Sequence, residues 1–260
     1  MPKELAMLLP GDHPWGLFLD VDGTLLELAA RPQDVVVPPD LNLLLDRLHA
    51  KFEGAFALVS GRNLAFLDSV LNWKGRDAAG CHGAEFRITG EAKSAINDTE
   101  VLAHAAERLI AHAGPIHGAL LEIKGQSIAF HYGATAFTEL QSKALIEDAV
   151  APVSHAFRIL SLRNAIEIVP KGCGKGLAIA EFLQHETYRD RIPVFAGDDL
   201  SDEEGFREVN ERGGISIYVG DRITTSAQFR ARTVTHFHHW LAELLQERVV
   251  VLPPHKEARR

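Results

Sequence analysis

The chain has little of several things, and each shortage excludes something. Only two of its 260 residues are cysteine, Cys81 and Cys173, so no disulfide framework is implied, and neither stands in a Cys/His cluster of zinc-site spacing. No stretch approaches the roughly 18 consecutive apolar residues of a membrane helix, and residues 5–10 are too short a run for the apolar core of a signal peptide. A cytoplasmic location is therefore the expectation. Basic residues are outnumbered, 27 Lys and Arg against 35 Asp and Glu, for a formal net charge of −8. That argues against a nucleic-acid surface, which shows a basic patch or stripe. An anionic ligand would have to be met by local Lys or Arg, a helix N-terminus or a metal. No internal repeat is evident. What remains, 46% hydrophobic and 24% charged, is the composition of an ordinary globular protein with room for one large domain or two modest ones.

The stretch that organises what is present is Leu17-Phe18-Leu19-Asp20-Val21-Asp22-Gly23-Thr24. Its apolar run reads as a strand buried on both faces and ends abruptly in acids. In an open α/β sheet, ligands bind in the crevice beyond such strand ends. Asp20 and Asp22, at i and i+2, point the same way in extended chain. Two like charges so close repel unless a cation, a proton or a hydrogen-bond donor relieves them, and a divalent metal is the natural relief. Asp-Gly alone is a common turn signal; the strand, the acid pair and Thr24 together say more.

Three further stations repeat the pattern. Asp40 can cap a helix carrying Leu41, Leu44, Leu45 and Leu48, and the apolar run 55–59 then ends at Ser60-Gly61-Arg62, after which Asn63 begins another helical pattern. Strand, helix, strand, helix at these lengths means parallel pairing. The glycine-rich run 171–176 leads into a helix at Lys175. It fails as a nucleotide-binding P-loop, because Val169 and Gly176 stand where Gly and Ser or Thr are needed. Last, the strand 193–196 ends in Gly197-Asp198-Asp199-Leu200-Ser201-Asp202-Glu203-Glu204. Asp202, Glu203 and Glu204 fit a solvated first turn complementing a helix dipole. Asp198 and Asp199, directly on an apolar strand, do not.

Between these units, residues 87–166 change texture. A helix is expected over 100–112, then two short runs, 119–124 and 127–132, around Gly125-Gln126, a Gly-first two-residue hairpin of the II′ kind. That register sets Lys124 opposite Ser127, Glu122 opposite Ala129 and Leu120 opposite His131, all on one face. A helix over 136–150 and strands near 157–162 and 165–169 follow. Helices mixed with antiparallel hairpins suggest an inserted α+β domain. Beyond it come a strand at 214–219 and a closing helix at 240–247. His236, His238 and His239 read as a surface turn for want of a fourth ligand. The basic tail past Pro254 reads as disordered.

In order, Asp20-Val21-Asp22-Gly23-Thr24, Ser60, Lys175 and Gly197-Asp198-Asp199-Leu200-Ser201-Asp202 resemble the four motifs of the haloacid dehalogenase-like phosphatases. The resemblance implies an α/β protein with a Rossmann-like parallel-sheet core in two parts, 1–86 and 167–260, and an inserted α+β cap over 87–166. It implies an Asp20 nucleophile that also binds Mg²⁺, with Asp198 as second carboxylate ligand. Asp22 would bind the metal through its backbone carbonyl and keep its side chain free as general acid/base. Ser60 and Lys175 would hold phosphate oxygens with Thr24 assisting, and Asp199 and Asp202 would orient the metal waters and Lys175 from behind.

Further matches at residues 20–27, 32–39, 80–85, 121–125, 130–132 and 167–176 make the chain similar to the trehalose-6-phosphate phosphatases. This implies trehalose 6-phosphate as substrate, with Arg62, His82, Glu85, Glu122, Lys124, His131 and Glu167 contacting it. It also implies a functional partnership with a trehalose-6-phosphate synthase, and no nucleic-acid or membrane partner. Ser201 stands where Thr is usual, and Val169 where a basic residue often precedes the proline. Two alternatives stay open: another sugar-phosphate phosphatase, of the sucrose-phosphate or mannosylglycerate-phosphate type, and a non-enzymatic regulatory relative.

Overall fold

Leu17 and Leu19 turn to one side of a sheet and Phe18 to the other, and the same alternation runs through the neighbouring strands. Phe56, Leu58, Val194, Ala196, Ile217 and Val219 join the first side, while Ala57, Val59, Phe195 and Tyr218 join the second. A sheet so clothed must carry helices on both faces. The computed structural model describes residues 6–7, 14–29, 34–94, 99–162, 164–221, 224–246 and 250–251. In chain order the elements are β1 (Ala6–Met7), β2 (Trp15–Leu19), α1 (Leu41–Lys51), β3 (Phe56–Val59), α2 (Leu64–Val70), β4 (Ala78–Gly80), β5 (Glu85–Ile88) and β6 (Glu91–Ser94). There follow α3 (Thr99–Ala113), β7 (Leu120–Lys124), β8 (Ser127–His131), α4 (Glu139–Val150), β9 (Phe157–Leu162) and β10 (Ala165–Pro170). The chain continues with α5 (Lys175–Phe182), β11 (Ile192–Gly197), α6 (Asp202–Glu211), β12 (Ile215–Val219), β13 (Phe229–Ala231), α7 (Val234–Leu245) and β14 (Val250–Val251).

Eight strands form the main sheet in the order β13-β12-β11-β2-β3-β4-β5-β6. Pairing is parallel from β13 to β4 and antiparallel from β4 to β6. Helices α1, α2 and α7 cover one face through Leu45, Leu67 and Trp240, and α5 and α6 cover the other through Phe182 and Phe206. Each fully buried Leu or Phe contributes about 1.5–3 kcal/mol relative to an exposed one, which holds the strand ends in place. Strands β2, β3 and β11 lie side by side, so Asp20, Ser60 and Asp198 leave the same edge of the sheet.

The second sheet is antiparallel, in the order β7-β8-β10-β9. One face packs Ile128, Phe130, Ile166 and Ile168 against Ala105 and Leu109 of α3 and Ile146 and Ala149 of α4. The other face carries Glu122, Ala129 and Glu167 in one row across three strands. The segment 99–170 is called the cap below. The hairpin register is the expected one, Lys124 opposite Ser127 and Leu120 opposite His131, with Gly125 at φ 48°.

Several expectations shift. The expected limits at 86/87 and 166/167 fall inside β5 and β10: β5 and β6 extend the main sheet by antiparallel pairing, and β10 lies wholly in the cap sheet. Asp40 makes no side-chain cap bond to α1. Helix α4 starts at Glu139, because Thr138 and Gln141 form a reciprocal capping box. Helix α7 starts at Val234, six residues before Trp240, where the Thr233 side chain accepts the His236 N–H. His236, His238 and His239 are therefore helical, and His238 Nε2 lies 2.8 Å from the Leu25 carbonyl. The tail beyond residue 251, and residues 32–33 of the 32–39 loop, lie outside the described residues.

Candidate active site

The floor of the site is built where β2 and β11 end. Asp20 hangs its N–H on the Ala196 carbonyl of β11 (3.0 Å), which brings Asp198 alongside. Gly23, at φ 83°, turns the chain back so closely under Asp198 that a Cβ there would overlap its carboxylate. Lys175, the first residue of α5, donates to Asp20 Oδ1 at 2.7 Å and to Asp202 Oδ1 at 2.6 Å. Asp202 is fully buried, against the expectation of a solvated first turn. Its second oxygen accepts the N–H groups of Asp198 (3.0 Å) and Asp199 (2.8 Å), so the helix start folds back to brace the acid loop. Thr24 Oγ1 lies 3.4 Å from both Asp20 Oδ2 and Asp198 Oδ1.

Acids outnumber cations on this floor. Burial, with Asp202 adding to it, raises the Asp20 carboxyl from 3.8 to about 7 despite Lys175 beside it. Burial, together with Asp20, Asp202 and Asp199, pushes Asp198 well above the ordinary range. Lys175 moves up: burial opposes its charge, and Asp20 and Asp202 outweigh burial. Oxygens of Asp20, Asp198 and Asp202 lie within 4.8 Å of one another. Hard oxygen donors in excess negative charge fit a divalent cation. Because both Asp202 oxygens are already engaged, Asp20 and Asp198 are the two carboxylates with capacity to spare.

Asp22 does not have the free side chain expected of it. Arg62 grips it bidentately, Nε to Oδ2 at 2.7 Å and Nη2 to Oδ1 at 2.8 Å, with the guanidinium 4.4 Å over the Phe66 ring. The partner lies 40 residues away and is delivered by the turn after β3. Ser60 is buried, its Oγ accepting the Arg62 N–H at 3.1 Å.

A cavity of about 820 Å³ separates this floor from the cap and is lined by Asp20, Asp22, Arg62, Lys175, Asp198 and Asp199 on one side and by Glu122, Lys124, His131 and Glu167 on the other. The cap residues form an alternating chain of carboxylates and nitrogen groups: His131 Nε2 lies 3.0 Å and Lys124 Nζ 3.7 Å from Glu122, and Lys124 Nζ lies 3.2 Å from Glu167. Ser127 Oγ also donates to Glu167. Burial alone would raise both glutamates. The His131 bond and Lys124 bring Glu122 below its ordinary value, and Lys124, His82 and Ser127 take Glu167 far below. Burial would lower Lys124, and Glu167 and Glu122 raise it instead.

His82 also lines the cavity, from the core side. Thr24, Ser60 and Glu85 do not. Glu85 is spent on structure: Oε2 accepts the Leu64 N–H at 2.8 Å and Oε1 packs against the Gly125 turn of the cap. Val169 is fully buried and away from the cavity. Sequence reasoning passed over Asn164 and Leu162, which line the cavity, and Arg158, which bridges β9 to α6 through two bonds to Glu204 at 2.9 and 2.8 Å. Asn164 takes a positive φ (58°) in the turn between β9 and β10, which asparagine accepts, so an asparagine between two apolar runs was the one available signal.

Known proteins resemble this chain along most of its length. Residues 18–234 match the family model described as Trehalose-phosphatase. A probable trehalose-phosphate phosphatase of Sinorhizobium fredii is 37% identical over 212 residues, 82% of this chain and 80% of that protein. The trehalose-6-phosphate phosphatase of Escherichia coli is 34% identical over 234 residues, 90% of this chain and 86% of that one. In fold, the C-terminal domain of the Candida albicans trehalose-6-phosphate phosphatase superimposes with a TM-score of 0.74 at 20% identity, covering 90% of this chain and 93% of that one.

Proposed function

This chain belongs to the trehalose-phosphatase family, and from that premise we propose how its residues hydrolyse trehalose 6-phosphate to trehalose and inorganic phosphate. Asp20 attacks phosphorus; the ester bond to the sugar oxygen breaks as the aspartyl-phosphate forms, and Asp22 gives that oxygen a proton. Asp22 then takes a proton from a water molecule, which attacks the aspartyl-phosphate and frees Asp20. Arg62 orients Asp22 and leaves each carboxylate oxygen a lone pair for these transfers. Lys175 neutralises charge on Asp20 and on the phosphoryl oxygens, and Asp202 keeps its ammonium in place. Ser60 and Thr24 act from behind the cavity wall, Ser60 by holding the Arg62 backbone and Thr24 beside the Asp20 and Asp198 carboxylates. A Mg²⁺ ion held by the Asp20 and Asp198 carboxylates and the Asp22 carbonyl, with Asp199 beside them, would neutralise the transferring group.

The sugar is read by the cap. Glu122, Lys124, His131 and Glu167 offer carboxylate acceptors and cationic donors to the hydroxyls of a disaccharide. The observation that carries the whole reading is the single cavity with a carboxylate–lysine floor on one side and this polar row on the other. A trehalose-6-phosphate synthase is the reaction that would supply the substrate, and a cytoplasmic setting fits a chain in which no described helix is long and apolar enough to cross a membrane. Phosphate release from trehalose 6-phosphate, sucrose phosphate and glucose 6-phosphate tests the reading. Preference for the first is expected; equal turnover of sucrose phosphate would point to another sugar-phosphate phosphatase, and no release from any, with Mg²⁺ present, to a regulatory protein.

A further inference from the structure

Residues 81–83 take three left-handed conformations in succession, Cys81 at φ 47°, His82 at φ 56° and Gly83 at φ 94°. A residue with a Cβ resists that region, and holds it only where its surroundings over-determine it. Here they do. The Cys81 N–H donates to the Arg62 carbonyl and the His82 N–H to the Ser60 carbonyl, each at 2.9 Å, so the turn carries both ends of Ser60-Gly61-Arg62. On the cap side, the Cys81 thiol donates to the Lys124 carbonyl at 3.1 Å.

Between these two attachments stands the His82 ring, only 3% exposed. It lies so close over Gly61 that a Cβ there would be 2.7 Å from Nε2. The same nitrogen is 3.4 Å from Glu167 Oε2, in contact with the carboxylate but too poorly aligned for a hydrogen bond. Neither ring nitrogen has a hydrogen-bond partner among the described residues. A buried imidazole in that condition asks for a reason. Packing alone would be better served by an apolar side chain, and a substrate contact would need more of the ring in the cavity.

We propose that His82 is a positioning residue that ties Glu167 of the cap to the phosphate loop 60–62, so that the sugar-reading row and the phosphate floor keep a fixed spacing. This rests on the function proposed above, in which one ligand is gripped by phosphate at one end and by hydroxyls at the other. For such a ligand a small error in spacing costs binding at one end or the other. His82 acts through Glu167 and not on the reacting atoms.

A double-mutant cycle tests this with His82→Asn, Glu167→Gln and the pair, since Asn accepts the left-handed backbone and leaves the turn intact. His82→Asn is expected to raise KM for trehalose 6-phosphate about tenfold with kcat within about twofold, and the double variant to be no worse than Glu167→Gln alone. Additive losses would show that His82 works independently of Glu167. A fall in kcat at unchanged KM would show only a smaller active fraction. Either result overturns the proposal. The same cycle read by thermal unfolding without substrate should give Tm shifts that miss additivity by about 2 °C or more. Additive shifts overturn the coupling whatever the substrate proves to be, whereas a wild type inactive on trehalose 6-phosphate sinks the substrate assignment and leaves this readout standing. A His82→Gly protein, which relaxes the turn and deletes the ring, should show the same rise in KM; wild-type kinetics there would also end the proposal.

Discussion

Two groups of buried or half-buried carboxylates lie on opposite sides of one cavity, and burial has opposite outcomes for them. On the floor, Asp20, Asp198 and Asp202 share a single Lys175, and Asp20 and Asp198 are driven upward. On the cap, Glu122 and Glu167 alternate with His131, Lys124 and His82, and both are driven downward. The desolvation is of the same kind; what differs is the supply of side-chain donors, since Lys124, Ser127 and the His131 ring serve two cap acids whereas on the floor Lys175 is shared. Each cap acid is paired within the protein alone, as a surface for neutral hydroxyls should be. The floor is incomplete, and a divalent cation and a phosphate are what complete it.

The hardest test of that contrast is to neutralise one acid from each group. Asp20→Asn should abolish turnover, by about 10³-fold or more, because an amide is a poor nucleophile, yet leave the metal-free Tm unchanged or higher, since it relieves repulsion. Glu167→Gln should keep turnover of a small aryl phosphate and lose about 1–3 kcal/mol of stability, because Lys124 and Ser127 lose a charged partner. Residual full activity in a deamidation-free Asp20→Asn protein, or a large loss of its stability, would break the comparison.

Next in size is the response to metal and pH. Chelation should abolish activity, Mg²⁺ restore it and Ca²⁺ inhibit, because its looser coordination spoils in-line geometry. The sign for stability follows from the raised carboxyl: Asp20, moved from 3.8 to about 7, binds its proton more tightly folded than unfolded. Its contribution without metal is full below 3.8 and is lost as pH rises through about 7. Glu167 runs the other way, contributing above 4.5 and losing that contribution as pH falls below it. The Tm gain on adding Mg²⁺ should therefore grow from about pH 5 to about pH 8. A gain independent of pH would mean that the floor is not short of charge.

On the cap, Glu122→Ala and Lys124→Ala should each lower kcat/KM for trehalose 6-phosphate at least about tenfold, roughly 1.4 kcal/mol, with aryl phosphate hydrolysis nearly unchanged. Equal losses on both substrates would assign these residues to the chemistry or the fold. The smallest effect is expected at the bridge between the two parts. Arg158 and Glu204 are each about three-tenths exposed, so Arg158→Ala should cost under about 1 kcal/mol in unfolding, and less still at high salt.

The strands of the main sheet were legible because their apolar runs stop dead at polar residues, and the hairpin register because a two-residue turn at Gly125-Gln126 allows few alternatives. Four positions on the floor, Asp20, Lys175, Asp198 and Asp199, come together as their placement on strand and helix ends implied. What was hidden is of one physical kind. Local pattern made Asp202 a solvated dipole complement, and only the family resemblance tied it to the lysine 27 residues earlier that it holds, while Asp22 looked free until Arg62 reached it from 40 residues on. Glu85 looked like a ligand group and proved to be a strut under the hairpin. Local pattern announces a side chain's chemistry, whereas its partner is set by topology. Three histidines masked the helical period of α7 in the same way, leaving only the Thr233 cap to mark its start.

The course of the chain has a consequence for inheritance. The backbone leaves the main sheet after Ser94 and returns to the helical layer over that sheet at Lys175, having made the whole cap sheet in a single excursion. Everything proposed to choose the sugar is thus one cassette, while the residues proposed to break the phosphate ester are split before and after it. A lineage could acquire a new substrate by exchanging that cassette in one recombination event, without disturbing the nucleophile. The splice would have to respect a short adaptor on the core, Cys81, His82 and Glu85, because those three touch the incoming hairpin and strand. Among related enzymes that differ in sugar, substitutions at these three positions should travel with the cap and not with the catalytic acids.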